Sequence, residues 1–194
     1  VIALVRLEEF EDGVILPHEL THSAPREDRY KLISACEANL SPIYGLFPDE
    51  QGRVHAALES IVREEGGRRR EPDIDVTMPD GVRHRLWSIE DPDFIALLQR
   101  SFESRQIFIA DGHHRYETAL RYRNERRRLE ALEGGGKAGS VEPSGVDLPP
   151  YYYTMMFLAS LDAPGLCVLP THRMVRLKER SQESDELVER VIDA

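Results

Sequence analysis

The sequence predicts an α/β (α+β) fold, a mixed sheet with hairpins and flanking helices. Short β-prone runs alternate with helical patterns along the whole chain instead of separating into blocks. Two Asp-Gly pairs, Asp12-Gly13 and Asp80-Gly81, lie between such runs and signal hairpins. A third feature is the run Ile107-Phe108-Ile109-Ala110, which passes through Asp111-Gly112 into a helical pattern, giving strand, tight loop and helix. With 194 residues, 41% hydrophobic and 31% charged, the chain suffices for a single α/β domain over residues 1–194. Its first residues already look like a strand and residues 187–194 still read as helix, so a fragment of a longer polypeptide is expected.

Taken in order, Val1 to Phe10 alternates apolar and polar residues, Glu11-Asp12-Gly13 turns, and Val14-Ile15-Leu16 returns as the second strand of a hairpin. Pro17 ends the pairing and leaves His18 to Ser23 as a polar loop. Pro25 to Leu40 reads as a helix, with Tyr30, Leu32, Ile33, Ala35, Cys36 and Leu40 on its apolar face and Pro25 in its first turn. Ser41-Pro42 breaks it, Ile43 to Phe47 is a short strand, and Arg53 to Glu65 is a second helix stopped by Gly66-Gly67. Ile74 to Met78 and Val82 to Trp87 flank Pro79-Asp80-Gly81 as a hairpin, with Trp87 expected in the core. Asp91-Pro92 starts a helix that runs through Phe102. After the central strand–loop–helix, residues 133–150 are rich in Gly, Ser and Pro and read as a flexible loop. Tyr151 to Ala159 is the most apolar run and suits a strand buried on both faces. Leu166 to Leu169 is a further strand, ending at Pro170-Thr171-His172-Arg173.

The chemistry concentrates at Asp111 to Arg115. Gly112 permits close backbone approach, a helix start leaves N–H groups for an anion, and His113, His114 and Arg115 add donors around it. Phosphate is the natural guest. Two histidines after an Asp also suggest a metal site, but adjacent helix-start side chains diverge and no third ligand lies at helical spacing, so no protein-held metal is expected. The plain alternative makes Asp111 an N-terminal cap and the histidines structural. A second polar group, His18, Glu19, Thr21 and His22, follows a strand directly, where a base or ligand can be held by the sheet behind it. Capping of the next helix is the alternative. Arg29 falls near the first turn of that helix, placed for phosphate or for a surface ion pair. His172 and Arg173 repeat the His-Arg pairing at another strand end.

A net charge of −10 disfavours nucleic acid as a partner, since that binding depends on displacing counterions with a basic surface. Cys36 and Cys167 have no CxxC partner and read as small buried residues in a reducing compartment. No stretch reaches the length of a membrane span and no signal peptide is visible, so a cytoplasmic protein without membrane partners is expected.

Three separated phrases, PHELTHSAPREDRYKLISACEANLSPIYGLF, FIADGHHRYETALRYRNE and GLCVLPTHRMV, occur in an order that resembles the proteins grouped as domain of unknown function 1015. The resemblance spans almost the whole chain. The Asp-Gly-His-His-Arg loop also looks like the nucleotide-binding element of the ParB/sulfiredoxin-like superfamily, which includes free-serine kinases. That likeness implies a ParB/sulfiredoxin-like strand–loop–helix core and phosphoryl transfer from ATP or ADP, with Mg²⁺, to a small hydroxylated metabolite such as free L-serine. Asp111, Gly112, His113, His114 and Arg115 would bind the nucleotide, with His172 and Arg173 assisting. Glu19 would be the base, with Asp111 and His114 as the other catalytic candidates, and His18, Thr21 and Arg29 would meet the acceptor. A GxxxxGK[ST] loop is lacking, which excludes a P-loop kinase in its usual form, and no cysteine stands beside Gly112-His113 for sulfiredoxin chemistry. Two further classes remain open: a non-catalytic nucleotide-sensing or nucleic-acid-associated module, and a metal-dependent hydrolase.

Overall fold

The computed structural model describes residues 1–19, 23–62, 70–133 and 148–167. In chain order they form β1 (Ile2–Arg6), β2 (Ile15–Leu16), α1 (Ser23–Cys36), β3 (Ile43–Phe47), α2 (Arg53–Val62), β4 (Ile74–Thr77), β5 (Arg83–Leu86), α3 (Pro92–Phe102), β6 (Ile107–Asp111), α4 (His113–Glu133) and β7 (Tyr153–Ser160). The chain divides into Val1–Pro164 and a second unit, Gly165–Ala194, of which Gly165–Cys167 are described.

The main sheet has the order β1-β7-β3-β6-β2. It is mixed: β1/β7 and β3/β6 are antiparallel, whereas β7/β3 and β6/β2 are parallel. Apolar residues at every second position give it one buried face. Ile43 and Phe47 of β3, Ile107 and Ile109 of β6, and Met156 and Leu158 of β7 all enter one core. Helix α4 adds Tyr116, Ala119 and Leu120, the i, i+3, i+4 face of a helix, while Val54 and Leu58 of α2 and Leu98 and Phe102 of α3 close the far side. Each large side chain so buried contributes about 1.5–3 kcal/mol of transfer free energy. Two polar groups hold the rim. Buried Asp49 accepts the N–H groups of Val54 and His55 at the start of α2 and pairs with Arg105 at 3.1 Å. Buried Arg123 donates to Leu7 O at 2.7 Å and pairs with Glu9.

Several elements form as the local sequence dictates. Asp91 caps α3 by accepting from Asp93 and Phe94 N–H, with Pro92 at the first position. β4 and β5 pair as an antiparallel hairpin through a turn in which Gly81 takes φ +84 and Asp80 accepts from Val82 N–H.

The opening hairpin does not form. β1 pairs with β7 at one edge of the sheet and β2 with β6 at the other. Between them Phe10–Asp12 makes a 3-10 turn, in which Asp12 accepts from Glu9 N–H at 3.2 Å and Gly13 takes φ +68 as its cap. An Asp-Gly pair satisfies the left-handed position of either device, and Phe10, stacked on Tyr116 at 5.3 Å, draws the chain inward. β7 is likewise buried on one face only: Thr154, Met156 and Leu158 are inside, whereas Phe157 is 42% exposed. Tyr151 and Tyr152 belong to a short 3-10 turn before it. α1 packs against α4, with Glu27 paired to Arg121 and Tyr30 beneath the Arg121 guanidinium, and leaves Leu32 and Cys36 exposed. Cys167 is exposed too, and Trp87 is half-buried, its Nε1 donating to Arg70 O at 3.0 Å. Within the expected flexible loop 133–150, residues 134–147 lie outside the described residues, as do Gly66-Gly67 and the expected strand positions 168–169.

Candidate anion site at the start of α4

β6 ends at Asp111 and α4 begins at His113, so Gly112 must turn the chain in one residue. It takes φ +96, and a Cβ there would lie 2.8 Å from Nε and Nη2 of Arg115. Both facts require glycine. The guanidinium is held in place: Nη1 donates to Ser41 Oγ at 2.8 Å and to Pro42 O at 2.5 Å, and Nη2 donates to Asp111 Oδ2 at 2.5 Å. Arg115 thus clamps the loop to the segment entering β3. The N–H groups of Arg115 and Tyr116 both donate to Gly112 O, which leaves those of His113 and His114 without an acceptor inside the helix.

The second wall comes from β2. Ile15 pairs with Ile107 and Leu16 with Phe108 in parallel register, so the chain leaves β2 and β6 at the same end of the sheet. His18 then meets the start of α4. Its backbone N–H donates to His113 Nε2 at 3.3 Å, its Nδ1 lies 2.7 Å from Ile109 O, and the two rings meet edge to face at 4.5 Å. Glu19 and Arg29 join Asp111 to Arg115 around a cleft of about 160 Å³. Below the ~300–1,000 Å³ of a drug-sized ligand site, this cleft suits a phosphate-sized group.

The fold brings together seven of the expected residues, Glu19, Arg29, Asp111, Gly112, His113, His114 and Arg115, with His18 behind them. Thr21, His172 and Arg173 lie outside the described residues. Sequence reading missed Ser41 and Pro42, taken only as a helix breaker; a contact spanning more than seventy residues leaves no local signal. It also missed the meeting of His18 with His113.

Charge is arranged unevenly around the cleft. Asp111 is 74% and the Arg115 side chain 23% exposed, so solvent screens their ion pair and keeps it near the ~0–1 kcal/mol of surface pairs. Burial, and then the neighbouring His18, lowers the pKa of His113 from the ordinary histidine value, so its ring is neutral at pH 7. Its Nε2 accordingly accepts from His18. Among the described residues His114 Nδ1 is a buried side-chain polar atom without a hydrogen-bond partner. A larger cleft of about 300 Å³ lies between α1 and α4, lined by Ile33, Tyr122, Tyr151 and the Glu37–Arg126 pair. It offers no comparable set of convergent donors.

Among the described residues no helix is long and apolar enough to cross a membrane. Comparison with curated proteins and with solved structures gave no significant match. The family model described as "Protein of unknown function (DUF1015)" matches residues 1–193. Nearly the whole chain is covered, and the protein belongs to the DUF1015 family.

Proposed function

We propose that the protein is a nucleotide-dependent phosphotransferase that acts on a small hydroxylated metabolite, with free L-serine the first acceptor to test. The observation that carries this reading is the convergence of Glu19 and Arg29 on the helix start Asp111–Arg115. The N–H groups of His113 and His114 and the positive end of α4 suit phosphate oxygens, and Arg29 can add a forked charge-assisted pair. Glu19, its side chain 61% exposed, is the group free to accept a proton. Arg115, tied to Ser41, Pro42 and Asp111, acts as a positioning residue for the loop.

In this reading the acceptor hydroxyl gives its proton to Glu19 while its oxygen attacks the terminal phosphorus of ATP or ADP. The P–O bond to the nucleotide breaks, and the shortened nucleotide leaves with the electron pair. Phosphoryl transfer is mostly positioning and charge neutralisation, which is what an anion cradle with an adjacent carboxylate provides. The carboxylate of Asp111, largely exposed at the cleft, fits Mg²⁺, which takes one or two protein carboxylates alongside substrate phosphates, and leaves Glu19 as the base. Bound there, Mg²⁺ would neutralise phosphate charge. The likeness of the Asp-Gly-His-His-Arg loop to ParB/sulfiredoxin-like nucleotide-binding loops supports the same reading.

Calorimetry with ATP and ADP in Mg²⁺, followed by a phosphoryl-transfer assay over hydroxylated acceptors, tests the proposal. Arg29→Ala should weaken nucleotide binding about 10–100-fold, the worth of one charge-assisted contact. Glu19→Gln should retain binding and lose about 10²–10⁴-fold in rate. Binding without turnover on any acceptor would make the protein a nucleotide sensor, and no binding of either nucleotide would remove both readings.

A further inference from the structure

His18, Glu19 and His113 each offer one ligand-type atom, and these atoms all lie within 4.8 Å of one another. The hydrogen bonds show which atoms bear lone pairs. Ile109 O can only accept, so the proton of His18 sits on Nδ1, 2.7 Å away. Its Nε2 is therefore the basic nitrogen, and it stands 3.7 Å from Glu19 Oε1. His113 Nε2 accepts from the His18 backbone N–H at 3.3 Å, so it too carries a lone pair. Three acceptors face one another. Such a set is electrostatically unfavourable until a proton or a metal cation enters it.

We infer that His18, Glu19 and His113 form a binding site for a borderline divalent transition ion of the Zn²⁺ class. The site goes beyond the phosphotransfer reading, with which it shares Glu19 and His113, and adds His18. Two imidazoles and a carboxylate are the donor set of three-ligand zinc sites, which keep a further position for water or substrate. Zinc–donor distances near 2.1 Å put tetrahedral donors about 3.4 Å apart. The His18–Glu19 separation of 3.7 Å already approaches this, and Glu19, its side chain 61% exposed, can rotate toward the two imidazoles. The Ile109 carbonyl fixes the tautomer and orientation of His18, as outer-shell acceptors do for ligating histidines. The 3.3 Å contact to His113 lies beyond the usual range, so little is lost when a cation takes over that lone pair. The positive end of α4 opposes the ion by about 0.3–1 kcal/mol, small beside the ~10–16 kcal/mol measured for structural zinc. Two of the three ligands come from a loop about ninety-five residues away, which is why helical spacing at His113-His114 shows no site. Occupancy ties up Glu19, so the ion would silence phosphoryl transfer rather than assist it.

The test is a titration of chelator-stripped protein with Co²⁺ and then Zn²⁺, without nucleotide. One equivalent of Co²⁺ should give the intense visible bands of a low-coordinate site, and one equivalent of Zn²⁺ should displace it. His18→Ala, at an exposed position, and the isosteric Glu19→Gln should each weaken Zn²⁺ at least about tenfold, with circular dichroism confirming the fold. A Co²⁺ spectrum unchanged from the hydrated ion, or variants that bind as the parent does, would overturn the inference and leave His18 and Glu19 as neighbouring polar side chains at the cleft. Nucleotide calorimetry in Mg²⁺ alone reads the phosphotransfer proposal separately, so either can fail without the other.

Discussion

Gly112→Ala tests the construction of the loop. Two penalties add at this residue: a side chain at φ +96, and a Cβ 2.8 Å from the Arg115 guanidinium. The first costs about 1–2 kcal/mol, as for any L-residue in left-handed backbone. A flexible side chain would ordinarily swing away, but this one is pinned by Ser41, Pro42 and Asp111. Moving it forfeits those bonds, roughly another 1–2 kcal/mol at a partly solvated site. The total is about 2–4 kcal/mol, read by urea denaturation. Arg115→Ala removes the obstacle, so in that background Gly112→Ala should cost only the backbone part, about 1–2 kcal/mol. The double-mutant cycle should then show a coupling of about 1–2 kcal/mol. Additivity within about 0.5 kcal/mol would refute the clamp, and a Gly112→Ala cost below that figure would refute the strain.

Three further outcomes follow from the packing. Gly45→Ala places a Cβ 2.9 Å from both Ile107 Cγ2 and Leu158 Cδ2, so overpacking should cost about 1–3 kcal/mol and lower the melting temperature by about 2–4 °C per kcal/mol. An unchanged melting temperature would show that the sheet centre yields. Arg123→Met leaves Leu7 O buried without its donor and should cost about 2–3 kcal/mol in denaturant, whereas a neutral result would mean the carbonyl finds another partner. His113 has a folded pKa below its ordinary value of 6.5, so its contribution is fully present above that pH and is lost as pH falls below it. Stability should therefore decline on acidification with a His113-dependent slope of at most about 1.4 kcal/mol per pH unit; His113→Asn should flatten it, and an unaltered slope would locate the proton elsewhere.

What the sequence disclosed was mainly local. The strand–loop–helix at residues 107–133, the Asp91 cap and the β4–β5 hairpin all follow from neighbours a few residues apart. Glu19 and Arg29 were recognisable as reactive types beside a strand end and a helix start, although their approach to Gly112 depends on β2 pairing with β6. Strand partnership was harder to read. Asp12-Gly13 looks the same whether its left-handed glycine closes a hairpin or caps a 3-10 turn, and the competing partner, β7, lies about 150 residues away. Nor does periodicity show that Arg115 spends its donors on Ser41 and Pro42, because that contact exists only once β3 lies beside β6.

The parallel pairing of β2 with β6 has one more consequence. Each wall of the cleft grows from its own strand end, Glu19 and Arg29 from one connection and Asp111 to Arg115 from the other. The second is bolted to the rest of the sheet through Arg115 and the buried ring of His113, whereas the first is fastened to β6 at His18, whose Nδ1 lies 2.7 Å from Ile109 O. The first hangs from a strand two residues long at the sheet edge. Such a division of labour lets selection rewrite Glu19 and Arg29 in single steps, changing what is presented to a guest while the cradle that receives it stays fixed.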